Sequence, residues 1–73
     1  MRPGTVVVAM TNMDPEVLSV KIGDVGVVFE EAGIHGDGAG PCVRWLRPLK
    51  DGSFLVIGLC NINPKNVEVL APF

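Results

Sequence analysis

Strand signals dominate the pattern of apolar and polar positions along the chain. Residues 5–10 (TVVVAM) follow a Pro3-Gly4 breaker and are rich in β-branched side chains, which predicts a first strand. Residues 11–19 carry Asn12, Asp14 and Pro15, the chemistry of a turn or a long excursion. Asp14-Pro15-Glu16 could open one helical turn, with Asp14 as cap and Pro15 in the first position, but no periodic pattern continues it. Lys21-Ile22-Gly23-Asp24 is a second turn signal, and residues 25–31 (VGVVFEE) read as a second strand. Residues 32–41 (AGIHGDGAGP) hold four glycines and a proline and predict an exposed loop, costly to order. Residues 42–46 (CVRWL) predict a short third strand. Lys50-Asp51-Gly52 marks a hairpin turn, because Asp-Gly supplies the positive φ such turns need. Residues 54–59 (FLVIGL) form its partner strand. Asn63-Pro64-Lys65-Asn66 predicts a tight, 3₁₀-like turn, and residues 67–70 (VEVL) a fifth strand.

Five short strands, one long first excursion, a sharp hairpin between the third and fourth, and a turn before the last make a recognisable order. Gly23-Asp24-Val25-Gly26-Val27-Val28, then Val43-Arg44-Trp45, then Asn63-Pro64-Lys65-Asn66-Val67-Glu68-Val69-Leu70 carry it. Over nearly the whole chain it resembles the Src-homology-3-like (SH3-like) small β-barrel superfamily. The Gly-Asp pair leading into a Gly-x-Val strand is also similar to part of the nucleic-acid-associated KOW motif. The closing Pro-x-Asn-Val is similar to the Pro-Ser-Asn-Tyr-Val end of signalling SH3 domains. The resemblance implies a mostly-β fold: a five-stranded SH3-like barrel spanning residues 1–73 as one domain, with a short 3₁₀ turn before the last strand. Closing such a sheet protects edges that a bare meander would expose, and Gly23, Gly26 and Gly58 suit the bends and bulges this requires.

The strands themselves carry too many apolar residues for a half-buried sheet, in which only one alternating set should be apolar. Phe54 and Val56 fall on one side of the fourth strand, Leu55, Ile57 and Leu59 on the other. The first strand repeats the conflict, with Val6, Val8 and Met10 opposed to Val7 and Ala9. Leu46 stands on the side that Arg44 marks as outward. With 48% apolar and only 19% charged residues in 73, a small sphere cannot hide them all. Val7, Leu46, Leu55, Ile57 and Leu59 are therefore the candidate partner-binding residues. The expectation is a non-enzymatic interaction module that forms a homo-oligomer or docks on a protein partner as an accessory subunit.

Charge and chemistry narrow this further. A net charge of −2 and a pI near 5.1 argue against non-specific nucleic-acid binding, which draws its affinity from neutralised phosphates. The alternative, a KOW-like nucleic-acid-associated barrel, would use Arg44, Arg47 and Lys50. Glycines 36, 38 and 40 with His35 and Asp37 lack the following helix and lysine of a phosphate loop, and two ligands do not make a metal site. Ser19 and Ser53 have no histidine nearby in sequence, and Cys42 or Cys60 would need His35 brought to them. No catalytic group, cofactor or metal is assigned. Trp45 could serve as a platform for a Pro-rich peptide, as in signalling SH3 domains. The chain has no tyrosine, however, and Val67 stands where that groove wants an aromatic. With Arg44 outward, Val43 and Trp45 share the core face instead. The longest apolar run, Val6 to Met10, is too short to span a bilayer, and no signal-peptide pattern opens the chain. Two free thiols and a cytoplasmic location are expected from the cysteine count.

Overall fold

The computed structural model describes residues 1–13, 19–31 and 40–72. The predicted helical turn at Asp14-Pro15-Glu16, and His35 and Asp37 of the Gly-rich segment, lie outside them. Among them five strands form: β1 (Val6–Ala9), β2 (Val25–Glu30), β3 (Cys42–Pro48), β4 (Phe54–Asn61) and β5 (Val67–Ala71). A 3₁₀ turn at Pro64–Asn66 precedes β5. All pairings are antiparallel, in the order β4-β3-β2-β1-β5. The class is all-β as expected, but among the described residues the sheet is not closed: β4 and β5 are its two edges. An isolated bridge between Met13 and Val20 ties the two ends of the first excursion together.

Local chemistry explains the connections. In the β3–β4 hairpin the Gly52 N–H donates to the Leu49 carbonyl at 3.1 Å, and Gly52 takes a positive φ of 88° that a side chain would resist. Asp51 Oδ1 accepts from the Ser53 N–H at 2.9 Å, fixing the turn. Before β5, Pro64 presets φ for the 3₁₀ turn, and the Asn63 side chain caps it by accepting from the Lys65 N–H at 3.0 Å.

The core lies on one face of the sheet. Val7, Ala9, Val28, Val43 and Trp45 are buried there with Val20 and Ile62, so Val43 and Trp45 take the core side as their alternation predicts. Trp45 stands opposite Gly26 on β2 and Gly58 on β4. A methyl group on Gly26 would run into Val43 Cγ1 and approach Trp45 Cε3 to 3.0 Å. The absence of a side chain on Gly26 makes room for the indole.

Bulges set which residues face outward. The β3–β4 register runs Pro48↔Phe54, Arg47↔Leu55 and Leu46↔Val56, then slips so that Trp45 faces Gly58. Ile57 is the extra residue, and Gly58 beside it adopts φ 140°. Ile57 packs against the core on the side of Leu55, while beyond the slip Leu59 returns to the face of Phe54 and Val56. The same slip puts Cys42 opposite Asn61 and Cys60 opposite Val43, not the cysteines opposite each other. Both thiols are free.

Candidate interaction surface

Residues paired directly across antiparallel strands point to the same side of a sheet. Two rows of the face opposite the core follow from the register. One runs Val6, Val27, Arg44, Leu59; the other Val8, Val25, Leu46, Val56, each across β1, β2, β3 and β4. Seven of these eight side chains are apolar. Phe29 extends the face at the end of β2, where it is 45% exposed, and the Arg44 guanidinium carbon sits 5.7 Å from its ring centroid. That geometry is a cation–π contact. A shallow depression of about 290 Å³ lies between Val27, Phe29, Arg44 and Leu46.

The expected partner-binding residues divide accordingly. Leu46 and Leu59 lie on the outer face, half-buried and exposed respectively. Val7 does not: it is fully buried, because β1 turns Val7 and Ala9 to the core and Val6 and Val8 outward. Ile57 packs against the core, on the side it shares with Leu55 two residues before it. Leu55 is half exposed but lies on the core side of β4, opposite Arg47, where the sheet edge leaves it uncovered. Strict alternation missed Val56, which at 68% exposed is the barest large apolar side chain of the sheet. Gly58 was the signal that alternation would break.

The three cations proposed for nucleic acid are not gathered. Arg44 lies on the outer face and Lys50 in the exposed hairpin turn. Arg47 points to the other face, where Nε donates to Asp24 Oδ1 at 3.0 Å and Nη2 to Asp24 Oδ2 at 2.9 Å. Arg47 Nη2 also donates to the Ser19 carbonyl at 2.9 Å, so the pair fastens the first excursion to β3. Asp24 is 2% exposed. Its burial alone would raise the carboxyl pKa. The Arg47 hydrogen bonds, the Lys21 N–H at 2.9 Å, and the positive charges of Arg47 and Lys21 outweigh that and hold it below the usual carboxylate value.

Of the two thiols, Cys42 is buried and Cys60 half-buried. Burial raises the Cys42 thiol pKa, with the Glu30 charge adding to it. The Cys60 thiol is raised by burial, against which the neighbouring Trp45 N–H works. That indole Nε1 is buried without a hydrogen bond of ordinary geometry, so the sulfur is a weak neighbour, not a full acceptor. Raised thiols of this kind are poor nucleophiles. Among the described residues, no three His, Cys, Asp or Glu groups come together as a metal site, and no helix is long and apolar enough to cross a membrane.

No family model matches the chain, and no curated protein or solved structure matches it either.

Proposed function

We propose that this chain is a small, non-enzymatic interaction module of the SH3-like kind, and that it self-associates through the outward apolar residues of its β3–β4 side, Leu46, Val56 and Leu59. Docking as an accessory subunit on a larger protein would use the same surface. The observation that supports this reading is the outer face itself, two cross-strand rows of valine and leucine broken only by Arg44. The strand order supports an SH3-like fold left open between β4 and β5, since β1 to β4 form a meander and β5 returns beside β1. Burying one exposed Val or Leu contributes about 1.5–3 kcal/mol, so a few together offset a substantial part of the cost of association. The KOW-like alternative has less support, because Arg47 is engaged by Asp24 and Arg44 and Lys50 stand apart. Light scattering on the eluting protein tests the proposal. Wild-type chain should elute above the monomer mass and Val56→Glu at it, with both folded; a Val56→Glu protein that associates like wild type contradicts it.

A further inference from the structure

The outward rows continue onto β5. Val8 pairs with Glu68, so the second row reads Glu68, Val8, Val25, Leu46, Val56 across all five strands. Within the two rows Arg44 and Glu68 are the charged side chains, and their signs are opposite. Both are exposed, and neither makes an ion pair or a side-chain hydrogen bond among the described residues. The Arg44 guanidinium rests on the Phe29 ring instead. The two stand three strands apart, on β3 and β5, and do not meet within one chain. These charges restrict what can cover the face. An apolar partner would bury both of them unpaired, at a high cost, and an acidic one would set a like charge against Glu68. A second copy of the chain brings a carboxylate for Arg44 and a guanidinium for Glu68 together.

We propose that two copies stack outer face on outer face about a two-fold axis along β2, with Arg44 of each copy paired to Glu68 of the other. This rests on the self-association reading above and specifies its geometry. β2 is the middle strand of the order β4-β3-β2-β1-β5, so a two-fold along it overlays the whole of both faces. β3 then lies over β1 of the second copy, and β4 over its β5. That carries Glu68 of the second copy above β4, one strand from Arg44. Stacked sheets lie about 10 Å apart, a gap that an arginine and a glutamate span from opposite sides. Leu46 is covered by the valines of β1, and Val56 and Leu59 by β5, so the residues on which association depends are buried together. The symmetry makes every Arg44–Glu68 pair twice.

Charge reversal tests this, read by sedimentation equilibrium on the intact chain with circular dichroism to show that each variant folds. Arg44→Glu and Glu68→Arg each set like charges together twice, and each should weaken dimerisation by at least about tenfold. The double reversal restores both pairs with their signs exchanged and should return the constant to within about threefold of wild type. Glu68→Arg is the more telling single change, because it takes the net charge of the chain from −2 to neutral. An association governed by net charge would tighten there, whereas the paired one weakens. If both single reversals leave dimerisation unchanged, or the double reversal rescues neither, the Arg44–Glu68 pairing is wrong although self-association stands. A wild-type chain with no concentration dependence sinks both. Should a reversal not fold, the cycle of Arg44→Gln and Glu68→Gln decides: losses that simply add overturn the proposal.

Discussion

Replacing Gly26 by alanine adds one methyl group at a crowded point of the core. Gly26 lies between Val7 and Trp45 on neighbouring strands, and both are fully buried. The new Cβ would overlap Val43 Cγ1 and come within 3.0 and 3.1 Å of Trp45 Cε3 and Cζ3. Neither neighbour can yield toward solvent: Val43 is itself fully buried, and the indole is a rigid plate held between strands. Overpacking a tight core in this way costs about 1–3 kcal/mol. In a domain of this size that lowers the melting temperature by about 5–20 °C. Thermal unfolding followed by circular dichroism measures it directly. A double-mutant cycle locates the cause, because Val43→Ala removes the Cγ1 that the methyl strikes. The penalty of Gly26→Ala should then shrink in the Val43→Ala background, giving a coupling energy well outside additivity. A Gly26→Ala protein as stable as wild type, or one whose loss adds simply to that of Val43→Ala, refutes the close packing over Gly26.

Three further outcomes are expected. Asp24→Ala removes the acceptor of the Arg47 fork and of the Lys21 N–H, and should destabilise by about 1–3 kcal/mol in urea unfolding; an unchanged midpoint would mean the pair holds nothing. Because the folded-state pKa of Asp24 is depressed, its stabilisation is fully present above the unfolded carboxylate value and is lost as pH falls through the folded one. Melts from neutral to strongly acidic pH should therefore show a steeper loss for wild type than for Asp24→Asn, and parallel curves would contradict this. Thiol titration of denatured, unreduced protein should count two free cysteines, and a count of zero would show that they had been joined.

Much of the fold was legible from local chemistry. Each of the five strands and the 3₁₀ turn had a breaker or turn signal beside it, as at Pro3-Gly4, Asp51-Gly52 and Asn63-Pro64. Arg44 was enough to orient β3 and so to bury Trp45. The outward face was legible only as an excess of apolar residues, not as a set of positions. Period-two counting follows a strand until a bulge, and the slip at Ile57 reverses every residue beyond it. Ile57 keeps the core side that it shares with Leu55, and the slip returned Leu59 to the face of Val56. Val7 was misassigned for a different reason: both faces of β1 are apolar, so composition could not say which one met the core. The Asp24–Arg47 fork joins residues far apart in the chain, and no local pattern announces such a contact. Sheet closure likewise depends on how edges meet in space, which strand patterns do not encode.

The central claim is that the bare apolar side chains of the β3–β4 side exist to be covered. Sedimentation equilibrium of wild-type protein from micromolar to millimolar concentration, with Val56→Glu run alongside, tests it most directly. The wild-type mass should rise from monomer toward dimer with concentration, and the Val56→Glu mass should stay at monomer throughout. A wild-type chain that remains monomeric across the whole range contradicts it.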